Sequence, residues 1–188
     1  MILNIVDLEL NQPSRSIIQI GAIQFNVKTG ETIKELDLYI NPAEPLDQYI
    51  IDLTGITQEQ VDSGIPLTEG LKQFWAFLEG KQVAAWGSDL VLLKAKSLDL
   101  EVETPERLTE MDLMPMANIL RCAIPNGGRG GLRKTMATFG LEFAGRPHNA
   151  LTDARNTARL VSCWVGAISS FYKIQEVVNV EQKRSSIP

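Results

Sequence analysis

The run "ILNIVDLELNQ", residues 2–12, constrains the fold more than any other stretch of this chain. It begins as a buried β-strand does, with Ile5 and Val6, and then sets Asp7 and Glu9 two residues apart. Side chains at i and i+2 of a strand share one face of its sheet. Two carboxylates are thus aimed at one spot from an otherwise apolar segment. At ~6 Å and an effective dielectric near 20, their repulsion costs ~3 kcal/mol. An edge strand with a solvated polar face would tolerate the pair. The apolar residues before it and the apolar strands after it favour a central strand instead, and then something must offset the two charges.

The strands that follow set the architecture. "SIIQIGAIQFNV" and "TIKELDLYIN" are β-rich, and "KTGE" (Lys28 to Glu31) between them is a glycine-containing turn of hairpin length. Helical patterns then take over. "ITQEQVDSG" is a short helix with Thr57 as N-cap and Gln60 three residues on. "LTEGLKQFWAFLEG" is a longer one, capped by Thr68 and closed by Gly80, with Leu71, Phe74, Trp75 and Leu78 on its apolar face. A fourth strand, residues 82–86, runs into "DLVLLKAKSL", and a fifth lies near Leu108 to Leu113, followed by a helix through Leu120. "GGRGGLRKTMATFG" reads as a glycine-rich loop opening a helix, and the last long helix runs from near Leu151 into Tyr172. An antiparallel meander followed by alternating strands and helices predicts one α/β domain, residues 1–175, with helices packed on a mixed five-stranded sheet. Residues 176–188 read as a polar C-terminal tail.

Composition narrows the function. The 188 residues are 44% hydrophobic, enough for a folded core. Eighteen basic against 23 acidic residues leave a net charge of −5, which argues against a broad charge-driven grip on nucleic acid but not against a pocket holding one chain end. The N-terminus lacks a basic signal region and no apolar run reaches the ~20 residues of a membrane span, so a cytoplasmic protein without a membrane partner is expected. Cys122 and Cys163 stand in no metal-ligand spacing, which predicts neither disulfide nor zinc.

Two further segments carry acids where ligands gather. Asp89 in "AAWGSDLVLL" stands where a strand ends and a helix begins. It is a natural N-cap, and the carboxyl end of a strand is also where α/β proteins place ligands. In "RPHNALTDARNTARL", Asp153 lies about one turn inside a helix, and His148, the only histidine of the chain, precedes it by five residues. A first-turn aspartate favoured by the helix dipole is the plainer reading. The small neighbours Ala150 and Ala154 add a sign of close packing, and the spacing lets the imidazole reach the same pocket as the carboxylate.

Asp7-x-Glu9, Asp89 after a strand, and His148-x4-Asp153 opening the last helix resemble the DEDD-type 3′→5′ exonucleases of the histidine (DnaQ-like) branch. "LTGITQEQVDSG", "AAWGSDLVLL", "GLRKTMATFGLEFAGRPH" and "LTDARNTARL" resemble, more narrowly, the branch of the enhanced-RNAi 3′ exoribonucleases. The similarity runs from about Met1 to Leu160. Two departures stand out: Glu9 is followed by Leu10 and Asn11, where the family carries Thr or Ala and a small polar residue, and "WGSD" is one residue shorter than in the relatives.

The resemblance implies an RNase H-like fold and a metal-dependent 3′→5′ exonuclease with two divalent cations. Hard carboxylate ligands without cysteine suit Mg²⁺ or Mn²⁺. It implies Asp7, Glu9 and Asp153 as ligands of one ion, Asp7 as a bridge to the second, Asp89 acting through water, and His148 as the base that takes a proton from the attacking water. The substrate would be the 3′ end of a single-stranded nucleic acid, with RNA favoured by the branch, and the product a nucleoside 5′-monophosphate. Leu10, Trp86, Arg129 and Arg133 are candidate substrate contacts, with Lys134 beside them, against a plain reading of core residues and a solvated basic loop. Phe25, like Trp86, could stack a base, against the plainer reading of a core residue, whereas Phe74, Trp75 and Trp164 read as core. A catalytically silent nucleic-acid-binding module and a two-metal endonuclease are the alternatives. No protein partner is legible.

Overall fold

Gly30, at φ 73°, lets the chain reverse after a short turn in which its N–H bonds the Asn26 carbonyl at 2.8 Å, and the strands on either side of that turn form an antiparallel hairpin. This computed structural model describes residues 1–125 and 127–185, with the side chains of the last helix described up to Tyr172. The strands are β1 (Ile2–Leu10), β2 (Ile17–Asn26) and β3 (Thr32–Asn41). Two short helices follow, α1 (Gln48–Thr54) and α2 (Gln58–Asp62), then β4 (Ile65–Pro66) and α3 (Leu67–Leu78). The second half alternates: β5 (Val83–Ala85), α4 (Asp89–Asp99), β6 (Glu110–Asp112), α5 (Leu113–Cys122), α6 (Leu132–Thr138) and α7 (Ala150–Ser185).

The sheet has the order β4-β3-β2-β1-β5-β6. β1, β2 and β3 pair antiparallel, whereas β5 runs parallel to β1, β6 parallel to β5, and β4 parallel to β3. It is mixed, as expected, but six-stranded rather than five-stranded. The additional strand is the two-residue β4, which joins through Ile65 and Pro66 opposite Ile40 and Asn41. A pair of residues ending in proline carries no strand periodicity. Only the tertiary pairing makes it one.

Helices cover both faces. On one, Val6, Leu8, Ile20 and Ala22 pack against Leu71, Phe74, Trp75 and Leu78 of α3 and Leu90 and Leu93 of α4. Phe74 meets Trp75 edge-on with ring centroids 4.8 Å apart, and Trp75 Nε1 donates to Ser97 Oγ at 2.8 Å. On the other face, Leu3, Ile5, Ile23 and Phe25 meet Ala154, Ala158, Val161 and Trp164 of α7. Phe74, Trp75 and Trp164 are core residues, as read from the sequence, and Phe25, a base-stacking candidate, is buried in the core as well.

Local expectations fare unevenly. Thr57 and Gln60 form the expected reciprocal capping box of α2. Thr68 does not cap α3: the helix starts at Leu67 after Pro66, whose ring fixes the entry without a side-chain bond, and it ends on Glu79 in the left-handed region before Gly80. The helix α1 carried no periodic signal strong enough to be read. It is capped by Asp47, whose carboxylate accepts from Tyr49 N at 2.8 Å. The last helix passes Tyr172 and continues to Ser185, since no Gly or Pro follows Gly166 until Pro188. The side chains of the expected polar tail, 176–188, lie outside the described residues.

Asn11, just past β1, is buried and fully engaged. Its Nδ2 donates to Glu44 Oε1 and to the Pro45 carbonyl, both at 3.0 Å, and its Oδ1 accepts from Asp47 N at 2.9 Å. The end of the central strand is thereby tied to the start of α1.

Candidate active site

β1 lies between β2 and β5, so Asp7 and Glu9 stand on a central strand, as their apolar context required. Val6 pairs with Ala85, the last residue of β5, so the two acids project just beyond the carboxyl end of their parallel neighbour. Asp89 follows that same end. It is the first residue of α4 rather than its cap, the capping position being Ser88. There the helix dipole favours its charge.

Asp153 arrives from the other direction, on the first turn of α7. Two residues of β2 set that approach. Gly21 pairs directly with Asp7, and a Cβ placed there would fall on the Leu151 nitrogen and the Ala150 carbonyl carbon. Only a glycine lets the start of α7 rest on the sheet at this point. Gln19, fully buried and paired with Glu9, accepts from Ala150 N at 3.0 Å and from Asn149 Nδ2 at 3.4 Å, and donates to Asp37 Oδ1 at 2.7 Å. Asn149 caps the helix through Thr152 N at 3.1 Å. His148 then takes the left-handed conformation, φ 60°, with its N–H on Asp153 Oδ2 at 3.3 Å. Such a conformation in a non-glycine residue is held only where the surroundings impose it.

The result is a tight group. One ligand atom each from Glu9, His148 and Asp153 lie within 4.8 Å of one another. Asp7 and Asp89 stand outside this closest group but act on it electrically. Burial pushes the Glu9 carboxyl up to about 8, with Asp153 and Asp89 adding to it. Burial likewise raises Asp89 to about 7 and Asp153 to about 6. Asp7 is raised well above the carboxylate range by burial first, then by Asp89, Asp153 and Glu9. Asp153 Oδ1 is buried without a hydrogen-bond partner among the described residues. Mutually repelling hard oxygens, one of them orphaned, are a donor set that fits a divalent cation.

The remaining candidates fall into different places. Arg133 lines a cleft of about 740 Å³ that contains His148 and Asp153. Trp86 and Arg129 do not enter that cleft; they share a separate cavity of about 550 Å³ with Met114 and Ile119. Leu10 is half-buried against the apolar cluster of the α3 face. Asn11, held by the Glu44–Asp47 segment, is part of the scaffold. Gly21, Gln19 and Arg146 went unread. A glycine inside an apolar strand was the available signal for Gly21; Gln19 and Arg146 gave none.

Residues 5–161 match the exonuclease family RNase_T. The chain belongs to that family. ERI1 exoribonuclease 2 of Xenopus laevis is 30% identical over 196 residues, which covers 88% of this chain. The chain spans only 28% of that relative's length. Among solved structures, a 3′-exonuclease recognising the 3′ end of a histone mRNA stem-loop superposes with a TM-score of 0.75 at 20% identity, over 88% of this chain and 82% of that one. The nuclease domain of 3′hExo, a DEDDh family member bound to rAMP, gives 0.73 at 20% identity, over 88% and 92%. The histidine-branch, enhanced-RNAi-like resemblance read from the motifs is thus met by relatives of that kind, and the RNase H-like fold by the superpositions. Among the described residues no helix is long and apolar enough to cross a membrane.

Proposed function

We propose that this chain is a metal-dependent 3′→5′ exonuclease that shortens single-stranded nucleic acid, RNA in preference to DNA, and releases nucleoside 5′-monophosphates. The observation that carries the proposal is the meeting of Glu9, His148 and Asp153 within 4.8 Å at the end of the central strand. The RNA preference rests on the exoribonuclease relatives and on the rAMP bound by a structural neighbour.

Asp7, Glu9, Asp89 and Asp153 would hold two ions, Mg²⁺ or Mn²⁺, which supply charge neutralisation at the scissile phosphate and a lowered pKa for bound water. His148 stands at the exposed rim of the group, where it accepts the proton of the attacking water. Asp153 holds the His148 backbone in place through its Oδ2, so ligand and base are set by one helix turn. Gln19 and Gly21 fix that turn against β2, the neighbour of β1, and so set the distance between the base and Glu9.

The test uses 5′-labelled single-stranded RNA and DNA of matched sequence with Mg²⁺ or Mn²⁺. A ladder receding by single nucleotides from the 3′ end is expected, faster on RNA, abolished by chelator and blocked by a 3′-phosphate. Internal cuts, or hydrolysis of a circular strand, would replace this reading with an endonuclease. Full activity in excess chelator would end it.

A further inference from the structure

His148 and Asp153 line the 740 Å³ cleft together with Leu53 of α1 and Phe143. Three cationic side chains line it: Arg133 and Lys134 on α6, and Arg146 two residues before His148. In a chain of net charge −5 that grouping runs against the composition. Among the described residues none of the three is in a salt bridge; the acids that are paired lie elsewhere, on Lys34, Lys81, Lys94 and Arg155.

Arg146 is seated rather than free. Its Nη2 donates to the Asp52 carbonyl at 2.9 Å, and its guanidinium lies over Gly55, where any Cβ would collide with it. That contact bridges the loop carrying His148 to the C-terminal end of α1. Lys134 Nζ reaches the Arg129 carbonyl at 3.3 Å, which leaves its charge unneutralised. A carbonyl orients a cation without cancelling it, so the side chains that line the cleft keep their charge.

We infer that this cleft holds the phosphodiester backbone of the strand on the 5′ side of the nucleotide being removed. The inference rests on the exonuclease reading of the adjoining site. A strand running away from the scissile bond repeats only one feature at every step, its phosphate. Cations on two elements, over apolar walls, grip such a chain without reading its bases. The four carboxylates repel that same backbone, so a cationic flank is needed to bring a polyanion to them. Arg146 also links this grip to the base: a phosphate drawn onto it pulls on the segment that carries His148.

The deciding variant is Arg133→Gln/Lys134→Gln, because both side chains are exposed on α6. Arg146→Gln is measured beside it. Binding of a fluorescent single-stranded oligouridylate is read by anisotropy against salt, with Ca²⁺ in place of Mg²⁺ and the probe checked for integrity. The double variant should lose about tenfold in affinity, and its salt slope should fall by one to two, the share of about two phosphates on a single strand. In Mg²⁺, KM for the oligonucleotide should rise about tenfold more than KM for the p-nitrophenyl ester of thymidine 5′-monophosphate, which has no strand beyond the reacting phosphate. Unchanged affinity and slope, or equal losses on ester and oligonucleotide, would overturn the assignment. A wild-type protein that shows the cation-dependent binding yet never shortens the probe would instead remove the exonuclease reading and leave the cleft as a strand-binding groove.

Discussion

The two faces of the sheet are packed in opposite ways. Towards α3 and α4 the helices present large side chains, Phe74, Trp75 and Leu78, and stand off the sheet by the depth of those groups. Towards α7 the first turns of the helix present alanines, Ala150, Ala154 and Ala158, with Val161 and Trp164 only further along, and backbone meets backbone at Gly21. The α3 face stores stability in buried area; the α7 face gives up some of that area for closeness. Closeness is what a short-range constellation needs, since hydrogen bonds and ligand contacts fail within an ångström whereas hydrophobic burial tolerates small displacements. One side of the sheet therefore supports, and the other aims.

The largest expected effect strips the aimed side of its base. His148→Ala should lower the turnover by roughly 10²–10⁴-fold with metal affinity and melting temperature nearly unchanged. Near wild-type turnover in the variant would mean that another group takes the proton.

Next comes Gly21→Ala, which adds one methyl where the start of α7 touches β2. Lifting the helix by about an ångström should cost about 10²-fold in activity, with about 1–3 kcal/mol of stability. Asp7, Glu9 and Asp89 stay in their places throughout. If the variant folds and keeps its rate, the closeness of the α7 face is not what sets the site.

The opposite face gives the contrast. Phe74→Leu should cost about 1–2 kcal/mol in chemical denaturation and leave the rate per folded molecule within about twofold. A large loss of activity there would erase the distinction between the faces.

The smallest effect concerns the protein stripped of divalent ions. Glu9, Asp89 and Asp153 have folded-state values of about 8, 7 and 6, all above those of unfolded carboxyl groups. Between pH 4 and 8, on the order of the unfolded and folded values, the folded state binds more protons, so the free energy of unfolding falls as pH rises. In chelator, the melting temperature should drop between pH 5 and pH 8, and Mg²⁺ should restore more of it at pH 8 than at pH 5. A melting temperature that climbs over this window in chelator would show that the carboxylates are not held together as described.

What the bare sequence disclosed follows the same division. Asp7-x-Glu9 and His148-x4-Asp153 are local patterns, so spacing along a strand or a helix turn already placed them, and the relation between the segments came through a family resemblance. The six-stranded count was hidden because β4 is a strand only by virtue of Ile40 and Asn41 lying beside it. Thr68 looked like a cap because capping chemistry is local, yet Pro66 settled where α3 begins. Gln19 was invisible for the opposite reason: it touches residues about 130 positions away, and no window along the chain contains both ends of that bond.

Asn11, Asp47, α1, Asp52, Arg146, His148 and β1 form a closed circuit. Hydrogen bonds take it from the end of the central strand to α1, across to the histidine loop, and through Asp153 and Gln19 back to the sheet. A circuit without a free end behaves as a truss rather than as a hinge: a strain applied at any joint is shared by all. Lengthening the segment between Asn41 and Asp47 would, through these bonds, be felt at the imidazole, some hundred residues further along the chain. Substitutions that leave this frame untouched lie outside the circuit, among them those in the Trp86 cavity and on the outer surface of α5.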